Sequence, residues 1–554
     1  VYLDTILKRA QNGIKESEIL SYLVDCNVEL DDAIIFIEEL IDSQILVGEL
    51  TPSVTGGDYL NRIINILKAM SISESLLSPF FEIQKILVQL DSNQKDNIKH
   101  YHNIIQKIKS INMPYDERFL FQVDMTRKLK KAVLGKNVIN ELQQVMLFLN
   151  KITYVHKNDA LTRFQHAFSN RYDGREILLM EALDPEIGIG YPVTKRIEDI
   201  SPLFEDFFMP NQVGQHVNSQ MDAFRSILLR KTIDALKKDE IEVVLYDDDV
   251  EDIEANWDDL PPSMYSTFEI LKSNSNQLTI RLSGFSGVCA ANLFSRFAHT
   301  DENINELVNE ITTKEQELMP DVILAEIAHL PDSRVGNILC RPHNRYHEIL
   351  YLSNSDLPKS RIISMSDLFI SVRNGQICLR SKKLNKDIIP RLTNAHNYRN
   401  TSMPVYLFLC DMQMQYGRDN LYFNWGFLYN ELTFFPRVRY RNTILSLAAW
   451  RIEIAEIKYL FSIKENEELL FETSKWRNKY KLPTKMLLPD GDNELLIDWD
   501  NVKSIKALFP IIKGRKSIML TEYLYNPKYS IVKDEFGNSY PNQCVVSFYK
   551  KLEK

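Results

Sequence analysis

The chain has 554 residues, a formal net charge of -9 and a sequence pI near 5.7. This length is too great for one simple core, so about two to four domains are expected. Its 44% hydrophobic content is ordinary for a globular protein, and no apolar run reaches the roughly 18 residues that span a bilayer. The acidic balance argues against nonspecific coating of nucleic acid, although a local basic surface can still bind RNA.

The cysteines and the first residues indicate the cellular setting. Six cysteines are scattered along the chain without a CxxC pair. Such thiols fit a reducing cytoplasm better than a disulfide framework, so we expect a cytoplasmic protein. No charged-then-apolar signal segment follows Val1. Because the first residue is not Met, we expect a processed chain or a fragment of a longer protein.

Residues 1–52 are predicted to form a winged-helix-like module. Apolar residues recur at helical spacing from Ile19 to Val24 and from Ala33 to Ile41, and Gln44–Leu50 is predicted to be a strand. A winged helix usually suggests DNA, but the acids of the second helix would repel phosphates. Such a module can instead capture a peptide by strand addition. The alternative is a small helical packing module. The acids are Glu29, Asp31, Asp32, Glu38, Glu39 and Asp42.

The next region is predicted to be mainly helical. Apolar spacing is helical over most of the stretch from Asp58 to about Lys151, including a helix at Leu129–Lys151. Further on, Arg163–Pro192 changes from a helix to a loop that contains Asp184 and two glycines. The glycines do not form a GxGxxG motif, which argues against a dinucleotide site.

The remainder of the chain is predicted to contain several sheets. The strand candidates are Leu278–Leu282, Val322–Leu330, Gly336–Arg341 and Glu348–Leu352, whereas Thr443–Phe461 and Leu469–Tyr480 are predicted to be helical. The fold class is therefore α+β with several subdomains. They are the winged-helix-like module (1–52), a mainly helical segment (58–240), and mixed antiparallel sheets with helices (241–554).

Several familiar site motifs are incomplete. A nucleophile elbow at Ser283–Gly287 would need Gly where Val288 stands. Cys340, His343 and His347 have the right types for metal binding, but a structural zinc site needs four ligands. Gly135-Lys136 lacks the earlier Gly of a P-loop. The acidic run from Asp247 lacks the turn Gly of a calcium loop. The sequence therefore predicts no metal and no cofactor.

A hairpin leads into a cationic tract at residues 373–399. Asn374-Gly375 supplies the two positive-φ positions of a type I′ turn, which pairs Val372 with Ile377 and Ile370 with Leu379. Arg373 and Arg380 then share the opposite face. A dense cationic tract in an acidic chain predicts an anion site, and the alternative is a solvated loop. Its further cations are Lys382, Lys383, Lys386, Arg391, His396 and Arg399.

Four other arginines are candidates for anion binding. A guanidinium group holds carboxylate or phosphate in two-point geometry, although any single arginine is more often a surface ion-pair partner. Together with the hairpin cations they provide the groups for an anionic substrate. They are Arg296, Arg334, Arg341 and Arg345.

Three stretches resemble the lantibiotic dehydratase family, the LanB-type enzymes of lanthipeptide and thiopeptide biosynthesis. They are Arg373–Tyr398, Arg341-Pro342 with Arg345–Ile349, and Pro404–Asp411. The resemblance extends from the first residues to about Tyr540 and is most specific from Asp321 to Trp450.

The resemblance implies an enzyme that moves glutamate from glutamyl-tRNA, as co-substrate, onto Ser or Thr hydroxyls of a precursor peptide. Later β-elimination leaves dehydroalanine or dehydrobutyrine. The implied transfer residues are Arg296, Arg334, Arg341 and Arg345, with Asp184 as an orienting acid. The implied tRNA-binding residues are Arg380, Lys382, Arg391 and His396. The winged-helix module is implied to capture the peptide leader through Ile34, Ile37, Ile41, Ile45, Leu46 and Val47.

Two departures from the family pattern limit this interpretation. The family's stretch before the winged helix is expected to be missing or very short, and its separate elimination domain is expected to be absent after Lys554. An elimination domain or a partner protein is therefore expected to complete the reaction. The alternative function is a non-catalytic scaffold that binds the precursor peptide.

Overall fold

A computed structural model describes residues 2–11, 13–70, 73–92, 97–126, 129, 131–155, 158–193, 223–272, 278–331, 334–400, 403–415, 417–491 and 493–551. The chain divides into two compact units that interleave along the sequence. The first contains Val1–Thr126, Asn158–Thr194 and Ala291–Gln415, and the second contains Arg127–Lys157, Lys195–Ala290 and Tyr416–Lys554.

The elements are numbered in chain order. The α-helices are α1 (Tyr2–Ala10), α2 (Glu16–Asp25), α3 (Leu30–Asp42), α4 (Tyr59–Ala69), α5 (Glu74–Ser92), α6 (Asn97–Ser110), α7 (Lys136–Ile152), α8 (Asp159–Tyr172), α9 (Leu179–Leu183), α10 (Ala223–Lys237), α11 (Glu302–Leu318), α12 (Arg334–Leu339), α13 (Pro404–Asp411), α14 (Leu428–Glu431), α15 (Ile454–Ile457), α16 (Asn466–Lys479) and α17 (Val502–Ile512).

The strands are β1 (Ile177–Leu178), β2 (Glu242–Leu245), β3 (Ser263–Lys272), β4 (Leu278–Ser286), β5 (Val322–Ala328), β6 (His347–Leu350), β7 (Ile362–Ile363), β8 (Leu368–Arg373), β9 (Gln376–Ser381), β10 (Lys386–Arg391), β11 (Asn420–Leu421), β12 (Phe434–Phe435), β13 (Arg437–Tyr440), β14 (Thr443–Ser446), β15 (Ala449–Glu453), β16 (Lys485–Asp490), β17 (Asn493–Asp498), β18 (Ser517–Glu522), β19 (Val532–Lys533), β20 (Ser539–Tyr540) and β21 (Cys544–Tyr549). Both units contain helices and sheets with antiparallel strands, which confirms the predicted α+β class.

The amino-terminal module consists of three short helices around a small apolar core. Helices α2 and α3 confirm the two helices predicted from apolar spacing. Their inward positions are the ones that recur every three or four residues, so one stripe of each helix is buried. The core residues are Ile6, Ile19, Leu23, Ala33, Ile37 and Leu40.

The strand predicted at Gln44–Leu50 is wrong, because these residues form turns and pair with no strand in the described part of the chain. Gln44 has a positive φ of 57°. The Leu46 N–H donates to the Leu40 carbonyl at 2.9 Å. Together they cap the end of α3 and fold Leu46 back onto the core of the module. The first residues of the predicted strand therefore form the cap of α3 instead.

The first unit contains a seven-stranded sheet in the order β1-β8-β9-β10-β5-β6-β7. Strands β10, β5, β6 and β7 are parallel neighbours, and β1, β8 and β9 extend the sheet in antiparallel fashion. Strands β5 and β6 confirm two predicted strands. The segment predicted as a third strand, Gly336–Arg341, is mostly helical instead and belongs largely to α12.

The β8–β9 hairpin has the predicted register. Val372 pairs with Ile377, and Ile370 pairs with Leu379. Asn374 and Gly375 have φ angles of 50° and 70°, as a type I′ turn requires. Because side chains alternate along a strand, Arg373 and Arg380 lie on the opposite face from this apolar set.

Strand β5 is buried on both faces, so each face has its own covering layer. Ala325 and Ile327 belong to an apolar core that also contains side chains of α8, α9 and α13. Glu326 lies between them in sequence and therefore faces the other side of the sheet. There it meets Arg345, which also binds Glu315 of α11. Helix α11 thus covers the charged face.

The second unit contains a seven-stranded sheet and a five-stranded sheet. The larger has the order β2-β13-β14-β4-β3-β21 with β11 beside β4, and the smaller has the order β12-β15-β18-β16-β17. The helix predicted at Thr443–Phe461 is wrong over its first half, which forms β14 and β15. Helix α16 confirms the helix predicted at Leu469–Tyr480. Within the described ranges, no helix has the length and apolar character needed to cross a membrane.

Candidate functional site

The loop between α12 and β6, residues 340–345, carries two of the predicted arginines and is called here the arginine loop. Arg341 is 1% exposed and Arg345 is 6% exposed. Both bind Glu326: Arg341 Nη2 lies 2.5 Å from Oε1, and Arg345 Nε lies 3.5 Å from Oε2. The structure therefore brings Arg341 and Arg345 together, around a carboxylate of the protein itself.

Further polar groups form hydrogen bonds within this buried cluster. The Thr393 backbone N–H donates to Glu326 Oε1 at 2.8 Å, and its hydroxyl donates to Oε2 at 2.6 Å. Arg345 Nη2 also lies 2.6 Å from Glu315 Oε2. A buried ion pair is tolerated only when such hydrogen bonds satisfy its remaining atoms. The cluster consequently fixes the arginine loop, α11 and the residues after β10 to one another.

A second buried carboxylate, Glu348, stands beside Glu326 on the adjacent strand. His343 Nδ1 lies 2.6 Å from its Oε1, and the Ser355 hydroxyl donates to its Oε2 at 2.7 Å. Burial favours the neutral acid, but these hydrogen bonds outweigh it and hold the pKa of Glu348 below its usual range. The carboxylate is therefore ionised at neutral pH.

His343 lies between two carboxylates. Its Nε2 makes a short hydrogen bond with Asp356, opposite the contact to Glu348. Burial alone would lower the pKa of His343, but hydrogen bonds and charge from Glu348 and Asp356 raise it above its ordinary value. The geometry thus favours an imidazolium that supplies both N–H donors.

The arginine loop is also hydrogen-bonded to the segment that follows the amino-terminal module. Thr55 and Arg341 form a parallel β-bridge. The Arg341 N–H donates to Val54 O at 3.1 Å, and the Gly56 N–H donates to Arg341 O at 3.0 Å. The Asn354 side chain adds bonds to the carbonyls of Gly48 and Thr51 at 3.1 and 3.2 Å. The backbone N–H and carbonyl of the buried Arg341 are therefore both hydrogen-bonded to the segment that follows the module.

The acidic half of this cluster was not predicted from the sequence. Glu326 stands alone within the apolar strand VILAEIA, and Glu348 is the one acid of the short strand HEIL. A lone charged residue in a strand buried on both faces must have a partner, so this pattern was a usable signal. Because the contacts of Arg341 and Arg345 are internal, their contact with a substrate stays a prediction.

His396, assigned to tRNA binding, lies in a partly buried aromatic group. Its Nδ1 is 2.9 Å from the Tyr406 hydroxyl, and the Tyr406 ring centroid is 4.5 Å from that of His329. Burial lowers the pKa of His396, and His329 lowers it further. His396 is consequently neutral at pH 7 and offers a hydrogen bond rather than a charge.

Two of the other three transfer candidates have partners outside Glu326, and the side chain of the third is not described. Arg296 Nη2 lies 2.9 Å from Asp124 Oδ1. Asp184 caps the end of α9, accepting from the N–H groups of Ile187 and Glu186, and these bonds lower its pKa. Arg334 begins α12, but its side chain lies outside the described residues. Their proposed roles stay predictions.

The cationic tract is divided between the surface and the interior. Lys382 and Lys383 are exposed, and Arg380 is half-exposed beside Glu176, 3.6 Å away. Arg391 is only 2% exposed, and its Nη1 donates to the Gln413 carbonyl at 2.7 Å. Lys382 and Lys383 are therefore accessible cations of the tract, and Arg391 supports the sheet.

The predicted leader-binding residues form an apolar surface on and after α3. Ile34, Ile41, Ile45 and Val47 are exposed, Leu46 is half-buried and Ile37 is in the core. Exposed acids surround them, among them Asp31, Glu38 and Asp42. An exposed apolar patch with a polar rim is typical of an interaction site.

The described residues contain no group of three or more His, Cys, Asp or Glu side chains arranged to hold a metal ion. All six cysteines are free thiols.

Sequence comparison finds similarity to proteins of lantibiotic biosynthesis. A family model described as lantibiotic dehydratase, N terminus, matches residues 1–508. Subtilin biosynthesis protein SpaB of Bacillus subtilis is 23% identical over 528 residues, covering 93% of this chain and 50% of that protein. Epidermin biosynthesis protein EpiB of Staphylococcus epidermidis is 22% identical over 542 residues, covering 93% and 49%. The chain thus spans about half the length of these relatives.

Solved structures share the fold. The tRNA dependent lantibiotic dehydratase MibB from Microbispora sp. 107891 matches with a TM-score of 0.72 at 17% identity, covering 91% of this chain and 49% of that one. The glutamylation domain TbtB from thiomuracin biosynthesis, bound to 5'-phosphodesmethylglutamycin, matches with a TM-score of 0.60 at 13% identity, covering 99% and 66%. With the family model matching most of its length, the chain belongs to the lantibiotic dehydratase family, in the part described as its N terminus.

Proposed function

We propose that this chain performs glutamyl transfer from glutamyl-tRNA to Ser or Thr residues of a ribosomally made precursor peptide, the first step of dehydration. The observation that carries the proposal is the fold match to a glutamylation domain over 99% of this chain. The match to a tRNA dependent lantibiotic dehydratase supports the same assignment. We place the reaction in the cytoplasm, where free thiols stay reduced.

The proposed transfer accounts for every bond and proton without an added cofactor. The substrate hydroxyl oxygen attacks the ester carbonyl carbon of glutamyl-tRNA, and the bond from that carbon to the tRNA 3′-terminal oxygen breaks. The proton of the hydroxyl passes to the departing tRNA oxygen. Later elimination expels glutamate, a much better leaving group than hydroxide. The transfer requires cations for tRNA phosphates and donors for the tetrahedral oxyanion.

We assign tRNA phosphate binding to the accessible part of the cationic tract. Lys382 and Lys383 follow the hairpin directly, and their backbone is held by Asp367: the Lys382 N–H donates to its carbonyl at 3.1 Å, and the Lys383 N–H donates to Oδ1 at 2.7 Å. A fixed backbone with exposed ammonium groups suits contact with a phosphate chain. Arg380 lies beside them.

We assign leader capture to the apolar surface of the amino-terminal module. Ile34 and Ile41 are seven positions apart on α3, so they lie on the same face two turns apart. The exposed acids around them favour a leader with basic residues near its apolar anchors. The proposed mode is a groove contact, because the predicted wing strand is absent from the described residues.

We further propose that an elimination domain or a partner protein completes the dehydration. The chain spans about half the length of its curated relatives, which leaves a comparable length for that step.

The decisive experiment supplies the purified chain with glutamyl-tRNA and a precursor peptide, and measures the peptide by mass spectrometry. We expect added glutamyl groups on Ser or Thr. Uncharged tRNA and tRNA charged with another amino acid serve as controls. Tight leader binding without any glutamyl transfer would instead support the non-catalytic scaffold, which the apolar surface of α3 favours equally.

A further inference from the structure

Two neighbouring buried carboxylates depend on one short loop for their compensating charge. Glu326 and Glu348 are register partners on parallel strands, and each is 1% exposed. Arg341 and Arg345 neutralise Glu326, and His343, between them in sequence, neutralises Glu348. Like charges on adjacent strands repel, so the loss of any of these three cations leaves a buried carboxylate less well compensated.

His343 is held from both sides. Glu348 contacts Nδ1 from the sheet, and Asp356 contacts Nε2 from the loop after β6. Gly56 closes the third side: a Cβ at this position would meet Asp356 Oδ1 at 2.8 Å and His343 Nε2 at 3.1 Å. The charged groups facing the ring are therefore the two carboxylates, and the backbone of segment 53–57 packs against them.

We propose that His343 is a positioning residue that locks the arginine loop, and through it the buried arginines Arg341 and Arg345, onto the sheet and onto segment 53–57. The proposal rests on the proposed function for its kinetic consequence, but its structural consequence is independent of chemistry. When the imidazolium is present, it satisfies both carboxylates with its two N–H groups. When it is neutral, one carboxylate loses its donor, and the loop is released at the Arg341 backbone.

The direction of the pH dependence follows from the contacts. The folded-state pKa of His343 is raised, so the lock is present at lower pH and is lost as pH rises through that value. The pKa of Glu348 is depressed, so the lock also fails when pH falls through that lower value. The locked state therefore occupies the window between the two.

The test uses hydrogen exchange of the whole chain at pH values from about 5 to 9, normalised to intrinsic rates. The reporters are the amides of Arg341 and Gly56, whose hydrogen bonds join the arginine loop to segment 53–57. In the unsubstituted protein we expect their protection to fall by up to roughly tenfold per pH unit between the ordinary pKa of histidine and the raised pKa of His343, and to level off above it, as loss of one proton requires. His343→Gln, which keeps hydrogen-bonding atoms but cannot ionise, should remove this pH dependence.

Two further variants distinguish an effect of the His343 charge from a general loss of stability. Asp356→Asn alters an exposed side chain, so the protein remains folded, and it should shift the protection curve to lower pH because one stabilising charge is gone. His102→Gln, on the exposed side of α6, is the matched control and should leave the curve unchanged. If His343→Gln keeps the pH dependence of the unsubstituted protein, the proposal is overturned.

The kinetic arm uses glutamyl transfer. His343→Gln should lower kcat roughly 10- to 100-fold while leader affinity stays constant, since misplacing groups alters the transition state more than peptide capture. Unchanged kcat at every pH would also overturn the positioning role. If the unsubstituted chain transfers no glutamate, the proposed function fails, and the exchange measurements still decide whether His343 is the lock.

Discussion

Glu326 and Glu348 stand side by side on the parallel strands β5 and β6, and both side chains are almost completely buried. Their negative charges are matched by cations from a single loop rather than from separate elements. A sheet face of this kind is stable only as a complete set, because removing one partner leaves a buried charge uncompensated.

Glu326→Gln should therefore destabilise the first unit. The amide retains the volume but leaves Arg341 and Arg345 without their shared carboxylate, and we expect a loss of about 3–5 kcal/mol in the free energy of unfolding. All five tryptophans lie in the second unit, so their fluorescence would report on the wrong part. Hydrogen exchange of the β5 amides in urea measures the affected unit. Glu317→Gln, at an exposed helix pair, is the control and should cost less than about 0.5 kcal/mol. A difference below about 1 kcal/mol between the two variants would contradict the role of Glu326.

Gly56→Ala should disturb the contact between His343 and Asp356. Gly56 has a φ of 110°, and the added methyl group would meet Asp356 Oδ1 at 2.8 Å. We expect a loss of about 1–3 kcal/mol in stability from backbone strain, with an added steric effect on His343. Gly13 also has a positive φ, 88°, but open space around it. Gly13→Ala therefore measures backbone strain alone. If the two variants behave equally in thermal unfolding and in the His343 NMR titration, the steric effect of the Gly56 methyl group on His343 is ruled out.

Lys382→Glu with Lys383→Glu should weaken tRNA binding and flatten its salt dependence. Each lost phosphate contact reduces the salt slope by about 1. Lys383 is chosen with Lys382 because Arg391 is buried and its replacement would disturb the sheet. Lys513→Glu with Lys516→Glu makes the same charge change on exposed positions of the second unit. Equal salt slopes for the two double variants in filter binding would show that the tract is a solvated loop that does not contact tRNA.

Ile34→Asn with Ile41→Asn should weaken leader binding. Each isoleucine that becomes buried on binding contributes about 1–2 kcal/mol, so the pair should raise the Kd at least tenfold. Leu76→Asn, on the exposed side of α5, removes comparable apolar surface elsewhere and should have no effect. Calorimetry with a leader peptide measures both, and matching affinities would exclude this face of α3 as the leader site.

Local sequence determined the elements whose interactions are local. The turn residues Asn374 and Gly375 specify their own φ angles, so the register of the hairpin was predictable. Helices α2, α3 and α16 were predictable because their apolar spacing defines a single buried stripe. The family resemblance was also present in the sequence, since it rests on stretches such as Arg373–Tyr398.

Tertiary structure decided the rest, because the deciding partners lie far apart in sequence. Thr443–Phe461 has apolar residues at spacings that suit a helix, yet β14 pairs with β4 and β15 pairs with β18. Arg341 and Arg391 look alike in sequence as free cations, but the folded chain buries both, one against Glu326 and one against the Gln413 carbonyl. The sequence shows which residues are charged. Their solvation and their partners depend on how the sheet packs, and these determine whether a charged side chain can contact a substrate.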